Sequence, residues 1–371
     1  MSSRNKARRH RPAPTSSPSA GRRESPRGSP APAPPPGRIT ESYMPPAPRD
    51  LPELRGQLAR WLAGEGPGFY LAMALAGCQW IPPGSTSVAA GAAQIARQEH
   101  HRVTTADLYW VSAPMTTLAR HAAARLPPRT LHAHDLPSQT GFMVFEAPLA
   151  TYANNEGREV QIVAVSWGPW GGPGGRLDNG RWGSGWWDQG GIWLSFFSHP
   201  APVLPREAFT SGIADQAALA PLMSTVPPML PDNEAGWPFG DLPGDQDIPE
   251  GTTAVWALIT RAAWRLMRQP LAAETTQRAD RAARRRLART GQPVPDVRVI
   301  HIRRAERGQP PSGSTAGTRE YGVQWWVGGH WRTYWCGPGR RRPEDRWIDP
   351  YLAGPEDKPV RGTERVRVWD R

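Results

Sequence analysis

The sequence predicts an α+β protein: a helical amino-terminal block, a central mixed sheet, a carboxy-terminal helix pair and then a small Trp-rich antiparallel sheet. Three observations carry this reading. Apolar side chains recur at helical spacing between residues 51 and 98. Runs rich in β-branched and aromatic residues take over from 106 to 198, and no repeat of fixed period runs through the chain.

Composition places boundaries at 50 and 250. Residues 1–50 are chiefly Pro, Ser, Ala, Gly and Arg, and such a segment cannot bury enough apolar surface to offset the entropy of ordering it. A disordered basic arm is expected there, with no apolar run for a signal peptide. Residues 51–250 should hold the helical block and a mixed α+β domain, interrupted by a Gly/Trp-rich loop at 168–190. Residues 251–371 should hold the helix pair and a Trp/Arg-rich β domain.

DLPELRGQLARWLAG (50–64) puts Leu54, Leu58, Trp61 and Leu62 on one helical face, with Asp50 as N-cap, Pro52 in the first turn and Gly64 as the stop. FYLAMALAGC (69–78) and the Ala-rich stretch from Ser87 to Gln98 supply two further helices. ADLYWVS reads as a strand, after which Pro114 opens another helix. GFMVFEAPL, EVQIVAVSW (159–167) and GIWLSFFS (191–198) are strands. The Gly-rich chain between the last two suits a long hairpin loop, able to fold Trp170, Trp182, Trp186 and Trp187 back beside Trp167. Frequent prolines from 200 to 251 predict irregular chain with one short helix near Ala214–Leu222.

Thr252 or Thr253 caps the clearest helix, AVWALITRAAWRLMRQ, which Pro270 ends. LAAETTQRADRAARRRLARTG reads as one second helix closed by Gly291, its surface crowded by Arg278, Arg281, Arg284, Arg285, Arg286 and Arg289. VRVIHIRR is a strand, YGVQWWVGGHWRTYW a strand pair turning at Gly328-Gly329, and DRWIDPYL and RVRVWD are short closing strands.

The formal net charge of +12 is segregated. Residues 1–50 carry ten Lys/Arg against three Asp/Glu, residues 51–260 eleven against eighteen, and residues 261–371 twenty-four against twelve. A polyanion would therefore meet the two ends. No stretch of about eighteen uncharged apolar residues predicts a membrane span. The two cysteines, Cys78 and Cys336, lack partners at metal spacing, which points to reduced thiols in a cytoplasmic protein without metal or cofactor.

No complete catalytic constellation is read. GPWGGPGGRLDNG lacks the Gly-Lys-Ser/Thr ending of a phosphate loop, and Ser195 lies inside a strand with no nucleophile elbow. Glu344-Asp345 and Glu356-Asp357 read as solvated loop pairs. His301 and His330 form an acid–base pair only if adjacent strands bring them together, so a metal-independent nuclease is the remotest alternative. Arg interleaved with aromatics offers phosphate contacts and stacking platforms to RNA or single-stranded DNA. The same residue types dominate protein interfaces, and an open strand edge accepts an extended peptide.

The segment Gly329-His330-Trp331-x-x-Tyr334-Trp335-x-Gly337-x-Gly339, followed by a basic run and Arg346-Trp347-x-x-Pro350, resembles a carboxy-terminal signature of a phage and mobile-element family. That family is typified by the type V-A anti-CRISPR protein that blocks production of the CRISPR effector nuclease. The helix at 253–268, the strand ending His301-Ile302-Arg303-Arg304, and Leu136-Pro137 followed by Phe142 to Phe145 stand in compatible order. The resemblance implies a non-enzymatic protein that recognises a polypeptide as it is made, with loss of its messenger RNA. The binding residues expected on this basis are His301, Arg303, Trp325, His330, Trp331, Arg332, Tyr334, Trp335, Arg340, Arg341, Arg342, Arg346 and Trp347. A nucleic-acid-binding accessory protein of a plasmid or phage, touching RNA or the ribosome through Arg-rich surfaces, is the alternative.

Overall fold

The structure, a computed structural model, describes residues 43–77, 79–82, 84–153, 159–169, 190–199, 228–240, 252–291, 294–303, 322–355 and 358–359. All of them belong to one compact unit, Gly37–Arg371. The basic arm up to residue 42, Cys78, Trp170, Trp182, Trp186, Trp187, the helix expected near Ala214–Leu222, Arg304, Glu356-Asp357 and the RVRVWD strand lie outside the described residues.

The fold is α+β, as expected. Three helices open it: α1 (Leu51–Gly64), α2 (Gly66–Leu75) and α3 (Val88–Thr105). Ser87 caps α3 by accepting a hydrogen bond from the Ala90 N–H at 3.1 Å. This helix runs seven residues past the expected end at Gln98, because Ile95, Glu99, Arg102 and Val103 keep one buried face going. Strand β1 (Asp107–Val111) and helix α4 (Ala113–Ala123) follow.

An eight-stranded mixed sheet is the frame. Its members are β1, β2 (Gly141–Phe145), β3 (Ala150–Ala153), β4 (Glu159–Gly168), β5 (Gly191–Ser198), β6 (Leu230–Pro238), β7 (Ala272–Gln277) and β8 (Val297–Ile302). They stand in the order β6-β5-β4-β2-β1-β8-β7, with β3 also paired to β4. β1 is parallel to both β2 and β8, and the other pairings are antiparallel. The sheet therefore crosses the boundary expected at 250, since β8 lies directly beside β1.

Alternate strand residues feed two cores. Leu108, Phe142, Val144, Phe197 and Val297 pack under α1 to α3. Tyr109, Val111, Met143, Phe145, Val165 and Phe196 pack under α4 and α5 (Thr253–Met267), together with Trp256 and Trp264. Helices on both faces explain why all eight residues of β5 are buried. Gly141 has no room for a Cβ, which would sit 2.1 Å from the Trp167 ring.

Two expectations fail here. The proline-rich stretch contains β6, whose Pro231 and Pro238 are tolerated because the strand ends the sheet and one edge needs no N–H donors. LAAETTQRADRAARRRLARTG is not one helix. Its first half is β7, paired to β8 over six rungs, and only Arg281–Arg289 is helical (α6), capped where the Asp280 carboxylate accepts from Ala283 N–H at 2.7 Å. The expected helix pair is thus split: α5 packs in one core, while α6 packs against α1 on the other face. Among the described residues no helix is long and apolar enough to cross a membrane.

Beyond the sheet come two antiparallel ribbons: β10 (His330–Cys336) with β11 (Arg342–Ile348), and β9 (Trp325–Val327) with β12 (Tyr351–Ala353). β9 and β10 were expected to pair with each other around Gly328-Gly329. They pair instead with later strands, β10 over seven rungs with β11 and β9 over three with β12, and the indole of Trp347 packs over Gly329, where a Cβ would meet it at 2.4 Å.

Candidate functional site: a docked ribbon with an open outer face

Strand alternation sorts the β10–β11 residues onto two faces. The register pairs Trp331 with Trp347, Thr333 with Asp345 and Trp335 with Pro343 on one face. It pairs His330 with Ile348, Arg332 with Arg346, Tyr334 with Glu344 and Cys336 with Arg342 on the other.

The first face is fastened to the body. Asp345 has a side chain only 5 % exposed and takes four donors. Arg129 grips it as a fork at 3.1 Å to each oxygen, Arg265 of α5 donates at 3.0 Å, and the Thr333 hydroxyl donates at 2.6 Å. Burial alone would raise the Asp345 carboxyl; the bonds from Arg129 and Thr333 and the charges of Arg129 and Arg265 outweigh it and hold the group below its ordinary 3.8. Trp331 Nε1 donates to the Ala122 carbonyl at 2.9 Å, Trp347 N–H donates to Gln269 Oε1 at 2.9 Å, and Arg125 donates to the Gly329 carbonyl. Trp331 meets Trp347 edge-on at 5.5 Å.

Several expected binding residues are therefore used inward. Trp347 is 7 % exposed and Trp331 half-buried. Trp331 and Trp335 share a face, but Tyr334 faces the opposite way, so the three do not cover one surface. Asp345 and Glu344 are no solvated pair: neighbouring strand residues point apart, and only Glu344 looks outward, bonded to Arg346 at 3.0 Å. The Arg346 guanidinium holds the Glu344 carboxyl below its ordinary value.

On the outer face Arg332 and Arg346 stand directly opposite, an arrangement that is ordinarily unfavourable. Each guanidinium lies 5.3 Å from the centroid of the Tyr334 ring, the next residue along the same face, and the ring's negative face offsets part of the repulsion. Arg340, Arg341 and Arg342 are exposed beside them, Arg340 at a left-handed φ of 52°. Four of the seven large apolar side chains exposed among the described residues sit in these ribbons: Trp326 (71 %), Tyr351, Leu352 and, at the far end of the fastened face of β10, Trp335 (58 %). Trp326 and Leu352 are cross-strand partners, so they form one patch. Trp325 is half-buried on the other side of β9.

The two expected histidines do not converge. His301 is on β8 in the central sheet, paired with Ala273, whereas His330 is on the ribbon with its Nδ1 3.0 Å from the Gly328 carbonyl. Arg303, just past β8, is exposed, with its N–H donating to the Leu271 carbonyl. Among the described residues no group of three His, Cys, Asp or Glu could hold a metal ion.

A second polar constellation lies inside the fold. Ser166 of β4, Ser195 of β5 and Glu234 of β6 are register partners, forming a polar row across three strands beneath α3. Glu99 of α3, fully buried, accepts from Ser166 at 2.6 Å, from Ser195 at 2.5 Å and from Arg102. Glu234 Oε2 accepts from Gln79 at 2.7 Å while its Oε1 is shut off from solvent. Burial pushes the Glu234 carboxyl up to about 7, with Glu99 adding to the effect and the Gln79 bond and Arg102 opposing it. The Tyr70 hydroxyl is raised by the same burial and by both carboxylates. Two carboxylates share one guanidinium here, and the chemical capacity of the group is to hold a proton.

Compared with known proteins, the chain matches no family model and no curated relative.

Proposed function

We propose that this is a cytoplasmic, non-enzymatic protein that binds an extended, acidic polypeptide on the outer face of its carboxy-terminal ribbons. The observation that supports the reading is the coincidence, on one short segment, of exposed apolar anchors with guanidinium groups held over an aromatic ring. Large rigid aromatics give contact area at little entropic cost, and Arg ringing them pairs with carboxylates. Each ribbon has only two strands among the described residues, so an extended chain can add to a free edge. The resemblance of the ribbon sequence to the anti-CRISPR family adds the kind of partner: the emerging amino-terminal segment of an effector protein, met during its synthesis.

Binding of the full chain to an array of acidic and neutral fifteen-residue peptides tests the proposal, using Trp326→Ser/Leu352→Ser and Arg332→Gln/Arg346→Gln variants. Each double variant should weaken acidic-peptide binding at least tenfold, about 1.4 kcal/mol, with an unchanged melting midpoint. Equal binding by wild type and both variants rejects the reading.

A further inference from the structure

Helix α6, RAARRRLAR, is held against α1 by Ala283 and Leu287, both buried, and by the Arg286–Glu53 pair at 2.7 Å. Its other charges have no such use. No carboxylate among the described residues partners Arg281, Arg284, Arg285 or Arg289. Arg281, Arg285 and Arg289 follow one another at four-residue spacing, a row rising about 6 Å per step. Like charges at that spacing destabilise a helix, and Arg281 also sits at the positive end of the helix dipole. Solubility alone would be met at less cost by mixed charges.

We infer that the exposed face of α6, with Arg60 of α1 across the cleft that Arg286 and Arg289 also line, binds the phosphodiester backbone of a nucleic acid without reading its bases. The remaining exposed residues of the helix, Ala282 and Ala288, are too small to anchor a protein interface, which draws its energy from large buried side chains. The helix has no aromatic residue to stack on a base, so contact is limited to phosphate. This surface belongs to α6 and α1 and does not depend on the ribbon reading.

The test is fluorescence anisotropy of labelled twenty-nucleotide RNA and DNA strands of unrelated sequence, with the full chain and with the Arg281→Gln/Arg285→Gln/Arg289→Gln variant. Wild type should bind all strands alike. Between 50 and 200 mM salt it should lose roughly 20-fold more affinity than the variant, the contribution of three phosphate contacts to a single strand. The variant should melt no lower than wild type, since repulsion is relieved. Identical affinities and salt slopes in the two proteins overturn the inference, as does binding to polyglutamate that equals RNA binding and is lost in the same variant. Arg332→Gln/Arg346→Gln should leave the salt slope on RNA unchanged, so that failure of the ribbon proposal and of this one are read separately.

Discussion

Two carboxylate clusters, one under α3 and one at the carboxy-terminal ribbon, solve the burial of charge in opposite ways. Asp345 is served by two guanidinium groups and a hydroxyl, and its proton is driven off. Glu99 and Glu234 share Arg102, with Glu99 also held by two serine hydroxyls, and Glu234 keeps its proton to about pH 7. The difference lies in depth and partners together: burial is the largest cause at Glu234, whereas at Asp345 two guanidinium groups and a hydroxyl outweigh it. At the ribbon the charge is a fastener; under α3 it is a load that a proton relieves.

Removing the fastener should have the largest effect. Asp345→Ala leaves Arg129 and Arg265 facing each other without their acceptor, and the expected loss is about 3 kcal/mol. Denaturant unfolding measures the loss, and faster amide exchange over β10 and β11 would show that the ribbon has come away. An unchanged exchange pattern would mean that Trp331 and Trp347 hold it unaided.

The proton under α3 gives the next effect, with a sign opposite to the usual one for an acid. Glu234 has a folded value of about 7 against an ordinary 4.5. The stability it contributes is complete below pH 4.5 and is lost as pH rises to 7, on the order of 3 kcal/mol. Asp345 runs the other way: its contribution is present above 3.8 and disappears as pH falls through its lower folded value. Glu234→Gln retains an acceptor for Gln79 and should flatten the profile between pH 4.5 and 7. A variant profile parallel to wild type would place the proton on another group. Ser195→Ala should cost least, about 1.5 kcal/mol for a hydrogen bond to a charged acceptor, read as a shift in unfolding midpoint at constant slope.

The regular elements were largely legible, because hydrophobic period and capping residues act locally. The start of α3 after its Ser87 cap, Gly141–Phe145 and Thr253–Met267 announce themselves this way. What failed did so where tertiary pairing decided. Ala272–Gln277 has helix-compatible composition and becomes a strand through its six rungs with β8. Asp280, whose capping role marks the true start of α6, lies within a stretch whose composition reads as continuous helix. The ribbon's aromatic richness is visible in the sequence, but its two faces are not, since Gly328-Gly329 reads locally as a hairpin turn while the strands that pair with β9 and β10 lie later in the chain. The Glu99 cluster had a faint signal, serines interrupting two apolar strands, but nothing local ties positions 99, 166, 195 and 234 together.

One neighbour relation in the sheet bears on how the molecule comes into being. Leu108 lies opposite Val297, so one side of β1 stays bare until nearly three hundred residues have been joined. A chain made from its amino end holds a naked apolar edge for most of its manufacture, and pairing across so great a separation is slow to find. Truncations ending before β8 should clump, and chaperone demand should fall abruptly once that late strand emerges.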